Sequence, residues 1–196
     1  MSFFTRSIRF FAFSAAVGAL VIQRGADVVH VNDWHTGAAL AFVPHGVGTV
    51  VSIHNLAYQG LFDAAVMPRV GLGPQWFGID GVEFHGQLSF MKAGLQFAEA
   101  IATVSPRYAR EITTPEQGCG LDGLLRARRS SLHGILNGVD EAVWNPETDA
   151  LLPARYGASD LAGKAQCKRF LQENLGLEPR ADAPLFGAVT RITEQK

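Results

Sequence analysis

Residues 49–60 read Thr-Val-Val-Ser-Ile-His-Asn-Leu-Ala-Tyr-Gln-Gly, and this stretch predicts both the fold class and the position of a candidate site. The β-branched apolar run at 50–53 is typical of a buried strand. The run ends at His54 and Asn55, two polar side chains that have no place in a strand core. In an open parallel α/β sheet, ligands bind in the crevice beyond the carboxyl ends of the strands. A single strand-end histidine more often just caps its neighbours, so the interpretation depends on whether other strands end in the same way.

The composition describes a globular chain that can bury a full core. The 196 residues are 47% hydrophobic and 18% charged, and 17 basic against 18 acidic residues give a net charge of −1. This balance gives no electrostatic argument for a nucleic-acid or membrane partner. Cys119 and Cys167 are far apart and form neither a disulfide framework nor a C-x-x-C site. We therefore expect a cytoplasmic protein.

The apolar segment at 10–22 resembles a signal peptide, because it follows Arg6 and Arg9. It is too short to span a bilayer, and a strand-like segment at 27–31 follows it without a small-residue cleavage site. We therefore predict an internal helix. Its predicted buried face consists of Phe10, Phe13, Val17, Leu20 and Val21.

The rest of the chain alternates between predicted strands and helices. Strands are predicted at 28–31, 49–53, 101–104, 132–136 and 185–189. Helices are predicted at 36–43, about 89–99, from 105 onward and about 161–175. Residues 62–86 are rich in glycine, proline and aromatic residues and are predicted to form a functional loop. This alternation indicates a parallel sheet with right-handed crossovers.

Polar or aromatic residues follow each predicted strand, and parallel strands end on the same side of a sheet. The residues are Asp33, Trp34 and His35, then His54 and Asn55, then Ser105, then Asn137, and finally Arg191. Carboxylates and amides bind hydroxyl groups, an aromatic ring stacks on a sugar, and arginine binds phosphate in a bidentate fork. The set predicts a site for a polyol that carries phosphate.

Other motifs indicate competing sites. Residues 118–123 match G-x-G-x-x-G, but residues 113–116 precede it where a dinucleotide site requires a buried strand, so we predict a glycine loop. His30, Asp33 and His35 could ligate a metal in principle, although the two histidines need not face the same way. The chain has no Asp-x-Asp pair and no G-x-S-x-G nucleophile elbow.

A series of longer motifs resembles the family of bacterial glycogen synthase and plant starch synthase, and covers the chain from about Arg9 onward. The motifs follow one another in the family's order. They lie at 33–37 (DWHTG), 53–60 (IHNLAYQG), 80–84 (DGVEF), 89–95 (SFMKAGL), 103–106 (TVSP), 108–112 (YAREI), 114–116 (TPE), 120–125 (GLDGLL), 134–140 (GILNGVD), 144–146 (WNP), 148–149 (TD) and 191–196 (RITEQK).

The resemblance implies an α/β fold, specifically an incomplete Rossmann-like N-terminal half of a glycosyltransferase-B fold. It also implies transfer of glucose from ADP-glucose to the non-reducing end of an α-1,4-glucan, with retention of configuration and with no metal or cofactor. His54 would contact the donor glucose near the reacting carbon, and Arg191 and Lys196 would neutralise the departing diphosphate. The implied sugar-binding residues are Asp33, Asn55 and Asn137 for hydroxyl groups, and Trp34 and Tyr58 for the shape of the pocket.

The chain also departs from the family pattern. The family's N-terminal lysine-glycine loop is absent, as is most of its second domain. We predict that residues 1–182 form a partial N-terminal catalytic domain and that 183–196 include the first strand of a truncated C-terminal domain. Such a chain is expected to be inactive alone. The alternative is a non-catalytic remnant with at most weak glucan binding, and the preference between ADP- and UDP-glucose stays open.

Overall fold

A computed structural model describes residues 3–192 of the chain, except for the side chains of residues 3–7, 69 and 70. The chain divides into two compact units, one ending at Asn137 and the other beginning at Gly138. Among the described residues, no helix is both long enough and apolar enough to cross a membrane.

The first unit is built on a four-stranded parallel sheet, which confirms the predicted fold class. The strands are β1 (Val28–Asn32), β2 (Gly48–Ile53), β6 (Ala100–Thr103) and β7 (Leu132–Gly134), in the spatial order β1-β2-β6-β7. All three pairings are parallel, with Val31 opposite Val51 and Val51 opposite Ile101. Each of these three apolar side chains is buried, as their shared face of the sheet requires.

One helix precedes these strands, and the other helices of this unit lie between them in the chain. They are α1 (Phe3–Arg24), α2 (Asp33–Gly37), α3 (Phe90–Phe97), α4 (Pro106–Glu111) and α5 (Asp122–Ala127), and a 3₁₀ helix at Ala38–Phe42 continues α2. Ser89 caps α3 by accepting a hydrogen bond from the Lys92 N–H at 3.1 Å. The side chains of Met91 and Leu95 then enter the main core fully buried.

The internal helix at the N-terminus is confirmed as α1, and its predicted buried face is correct at Val21 but wrong at Phe13 and Leu20. Phe13 and Leu20 are about half exposed, whereas Phe11 and Ser14, which were not predicted, are buried. The sequence pattern selected only large apolar side chains, but close packing also places small residues such as Ser14 and Gly18 on this face. A Cβ on Gly18 would lie 2.7 Å from the Phe42 backbone oxygen, so only glycine permits this approach.

The region 62–86 is more ordered than the predicted loop. It contributes to a small antiparallel sheet of β3 (Leu61–Asp63), β4 (Glu83–Phe84) and β5 (Gln87–Ser89), with 3₁₀ helices at Ala64–Val70 and Pro74–Trp76. These strands have two or three residues each, which is too short to produce an alternating pattern in the sequence. Phe62 of β3 and Leu88 of β5 belong, with Phe90, to a second apolar cluster of buried residues.

The second unit contains α6 (Ala162–Asn174), which confirms the helix predicted at about 161–175. The strand predicted at 185–189 was wrong, because residues 184–192 have no regular secondary structure. Phe186 and Val189 are almost fully exposed, so the apolar run has no strand partner there. A strand forms only where another strand accepts its backbone hydrogen bonds.

Candidate functional site

The carboxyl ends of β1 and β2 bring together the two most informative groups of predicted site residues. Asp33 follows β1 directly and His54 follows β2 directly. Because the two strands are adjacent and parallel, both residues lie at the same edge of the sheet. The convergence predicted for this pair is therefore present in the structure.

Asp33 is turned toward the backbone of the neighbouring loop. Its Oδ1 accepts hydrogen bonds from the backbone N–H of His54 at 2.7 Å and of Asn55 at 3.2 Å. The φ angle of Asp33 is +52°, a left-handed conformation that aspartate and asparagine tolerate better than most residues. The carboxylate thus fixes the position of the loop that carries His54.

Asn32 fixes the ring of His54. The Oδ1 atom of Asn32 lies 3.0 Å from Nε2 of His54, and since an amide oxygen only accepts, Nε2 carries the proton. In the neutral ring this leaves Nδ1 as an acceptor. Thr36 Oγ1 in turn accepts from the Asn32 N–H at 2.7 Å and donates to the Asn32 carbonyl oxygen at 2.8 Å.

The His54 side chain is exposed, and the loop beyond it also presents polar and aromatic groups. Asn55 is half-buried, and its Oδ1 accepts from the Ala57 N–H at 3.1 Å. Tyr58 is 56% exposed, so much of its ring is accessible. An exposed ring close in sequence to a histidine and an amide is suited to contact with a sugar.

Trp34 is packed more tightly than we expect for a residue that lines an open pocket. Its ring stacks on His35 with centroids 4.0 Å apart and meets the edge of Phe10 at 4.7 Å. Gly60 also lies against Trp34, and a Cβ on Gly60 would come within 2.3 Å of Trp34 Cε3. Trp34 therefore joins the N-terminal helix to the candidate site.

Tyr108, on α4, reaches the same loop. Its hydroxyl accepts a hydrogen bond from the Leu56 N–H at 3.1 Å. Burial raises the pKa of the Tyr108 phenol above its ordinary value, and the nearby charge of Asp33 acts in the same direction. The hydroxyl therefore stays protonated at neutral pH.

Gln59 anchors the glycine loop at 118–120. Its Nε2 donates to the Cys119 carbonyl oxygen at 2.7 Å, and its backbone oxygen accepts from the Met91 N–H at 3.0 Å. Its buried Oε1 has no partner among the residues that the structure describes. Cys119 and Gly120 both have positive φ, and α4 rather than a strand precedes them, so the prediction of a glycine loop is confirmed.

The other predicted residues lie elsewhere or have local roles. Ser105 caps α4 by accepting from the Tyr108 N–H at 2.9 Å. Asn137 is exposed beyond the end of β7, and Arg191 is exposed in the irregular segment of the second unit. Lys196 lies outside the described residues. The roles assigned to all of these site residues stay predictions.

The described residues contain no group of three or more His, Cys, Asp or Glu side chains that could hold a metal ion. His30 instead lies 2.7 Å from the Ser52 hydroxyl, measured from its Nε2. Cys119 and Cys167 are both free cysteines.

Two residues of the site were missed in the sequence. They are Asn32 and Tyr108. Asn32 could have been identified, since it directly precedes Asp33 in a strand-end motif. Tyr108 gave no local signal, because its partner Leu56 is 52 positions away in the chain.

Comparisons with known proteins agree on one family. The model of the starch synthase catalytic domain family matches residues 2–127. A glycogen synthase of Albidiferax ferrireducens is 59% identical over 177 residues, which cover 87% of this chain and 36% of that protein. A glycogen synthase of an Anaeromyxobacter species is 54% identical over 195 residues, covering 93% of this chain and 40% of that protein.

A solved structure is also similar. The catalytic domain of starch synthase IV from Arabidopsis thaliana, bound to ADP and acarbose, superimposes with a TM-score of 0.71 at 35% identity. The match covers 87% of this chain and 37% of the Arabidopsis chain. The chain thus spans less than half the length of these relatives.

Proposed function

The chain belongs to the starch synthase catalytic domain family, and we propose that it acts in the transfer of glucose from ADP-glucose to an α-1,4-glucan. Glucose would join the non-reducing end with retention of configuration. The names of the similar glycogen synthases support this reaction, and so does the Arabidopsis structure, which holds ADP together with acarbose. We also propose a cytoplasmic location with no membrane or nucleic-acid partner.

One observation supports the proposal most strongly: an exposed histidine at the carboxyl end of a central parallel strand is hydrogen-bonded through both its ring and its backbone. Asn32 orients the His54 ring, and Asp33 fixes the backbone beneath it. A side chain that is already in position can contact a sugar without a free-energy cost for reorganising that side chain when the sugar binds. His54 would lie against the transferred glucose near its reacting carbon.

The other residues would hold the sugar and the leaving group. In the transfer, the bond from the glucose C1 to the diphosphate oxygen breaks, C1 bonds to a hydroxyl oxygen of the glucan, and that hydroxyl gives up its proton. Negative charge builds on the departing diphosphate oxygen. Arg191 and Lys196 would stabilise this charge, so that no metal ion is required. The proposed sugar-binding residues are Asp33, Asn55 and Asn137 for hydroxyl groups, and Trp34 and Tyr58 for the shape of the pocket.

A second candidate function is glucan binding without transfer. Tyr58 is accessible on the described surface, whereas Arg191 lies in an irregular, exposed segment that does not fix its guanidinium. Such a chain would bind a maltooligosaccharide weakly and transfer nothing.

A hybrid synthase tests the two candidates. In this hybrid, the chain replaces the matching segment of the Albidiferax ferrireducens glycogen synthase, and the protein receives labelled ADP-glucose and a glycogen primer. We expect label in the precipitated polymer above a boiled control. A folded hybrid that binds maltooligosaccharide but incorporates no label would contradict the proposed transfer and support the binding function.

A further inference from the structure

The loop that follows β2 has an unusual set of hydrogen bonds. Four successive backbone N–H groups, those of residues 54–57, all donate to side chains. The first two bind Asp33 Oδ1, the third binds the Tyr108 hydroxyl at 3.1 Å and the fourth binds Asn55 Oδ1 at 3.1 Å. The loop is therefore anchored by side chains where regular structure would supply backbone carbonyls.

Only two of these anchors come from outside the loop, and they act from different elements. Asp33 lies at the end of β1, whereas Tyr108 projects from α4, whose N-terminus Ser105 caps. The Leu56 side chain is fully buried, so its backbone depends on an internal hydrogen-bond partner. Tyr108 provides that partner.

The ring and the hydroxyl of Tyr108 have separable roles. The half-buried ring packs against the main apolar core, which fixes the side chain. The hydroxyl oxygen accepts from the loop. A phenylalanine would keep the packing and remove only the hydrogen bond to Leu56.

We propose that Tyr108 is a positioning residue for the loop that carries His54 and Asn55. Its hydroxyl and the Asp33 carboxylate hold the loop from two sides, which keeps the His54 ring at a fixed place beyond β2. The anchoring follows from the geometry alone, whereas its effect on turnover rests on the proposed function.

Amide hydrogen exchange in the full chain measures the anchoring directly. Tyr108→Phe should speed exchange at residues 54–57 about tenfold, since it removes one hydrogen bond from a buried amide. Exchange at Val51, in the middle of β2, should stay as in the wild type. The matched control is Tyr156→Phe, which removes a phenolic hydroxyl from the second unit and should leave residues 54–57 unchanged.

Three results would overturn the proposal. The first is unchanged exchange at 54–57 in Tyr108→Phe. The second is an equal rise in the exchange rate at Val51, and the third is loss of cooperative unfolding in the variant. Either of these last two results would show that Tyr108 stabilises the core in general and not this loop in particular.

A kinetic measurement in the hybrid synthase gives an independent readout. Tyr108→Phe should lower kcat several-fold and leave the KM for the glucan primer nearly unchanged, because the variant loosens His54 without touching the acceptor. A raised KM at normal kcat would count against the positioning role. If a folded parent hybrid proves inactive, the proposed function fails, and the exchange result still decides the role of Tyr108.

Discussion

Asp33 organises the candidate site through a single carboxylate oxygen. Oδ1 binds two successive backbone N–H groups, those of His54 and Asn55, and an ionised acceptor makes both hydrogen bonds stronger than neutral ones. The left-handed backbone of Asp33 aims the carboxylate at the loop. The residue therefore contributes to stability as well as to any contact with a sugar.

Two substitutions at Asp33 distinguish the contribution of its charge to stability from the contributions of its hydrogen-bond acceptor and its backbone conformation. Asp33→Asn keeps an acceptor and tolerates positive φ, so we expect it to lower the unfolding free energy by about 1 kcal/mol. Asp33→Ala loses the acceptor and strains the backbone, and should cost about 3 kcal/mol. Urea unfolding followed by circular dichroism measures both values.

Asp27→Ala is the control for these variants, because Asp27 is exposed just before β1 and should change stability by less than about 0.5 kcal/mol. An Asp33→Ala variant as stable as Asp27→Ala would show that the two hydrogen bonds contribute nothing measurable.

The identities of the central site residues could be predicted from their places after strands, but most of their hydrogen-bond partners could not. His54 and Asp33 are separated by 21 positions, and their contact depends on a positive φ that no local pattern indicates for aspartate. Tyr108 was missed for the same reason, since strand pairing and helix packing bring it to Leu56.

Among the helices, α1 shows how close packing can override an apolar pattern. The buried stripe contains Ser14 and Gly18, neither of which a search for large apolar residues would select. The Ser14 hydroxyl donates to the Phe10 carbonyl oxygen at 2.8 Å, so a polar atom is satisfied inside the interface. The helix then approaches the 3₁₀ helix at 38–42 closely.

Gly18→Val tests this close approach. Valine forms helix more readily than glycine, yet its side chain would collide with the backbone oxygen of Phe42. We expect a net loss of about 2 kcal/mol or more in unfolding free energy, because overpacking outweighs the gain in helix propensity. Thermal unfolding with matched urea titrations measures the change.

Ala19→Val is the matched control, since the same side chain then points away from the interface on an exposed position. It should cost only about 0.6 kcal/mol through helix propensity. Gly18→Val would have to be the less stable variant, and the reverse order would contradict the packing described for α1.

The strands that were predicted correctly are the four of the parallel sheet. β1, β2 and β6 coincide with apolar segments, and β7 forms at the start of the strand predicted at 132–136. The short strands β3, β4 and β5 escaped prediction because two or three residues carry no period. The run at 185–189 shows the opposite error, because a pattern alone does not supply a neighbouring strand.

For the chain as a whole, the motifs predicted the family, and the family match confirms it over residues 2–127. The predicted domain boundary between residues 182 and 183 stays a prediction. The two compact units divide between Asn137 and Gly138, and this division reflects packing within this chain alone. The roles of Arg191 and Lys196 also stay predictions. The structure adds that Asn32 hydrogen-bonds the His54 ring and that Asp33 hydrogen-bonds the His54 backbone N–H.

The central claim, that His54 contacts the transferred glucose, is tested most directly by the turnover of His54→Ala in the hybrid synthase. The control is His45→Ala, which removes an exposed histidine from the turn before β2. The account predicts that His54→Ala lowers kcat by about 100-fold or more while the melting temperature stays within about 2 °C of the parent. His45→Ala should retain parental turnover. A His54→Ala hybrid with kcat within a few-fold of the parent would contradict the account and leave His54 as a cap at the end of β2.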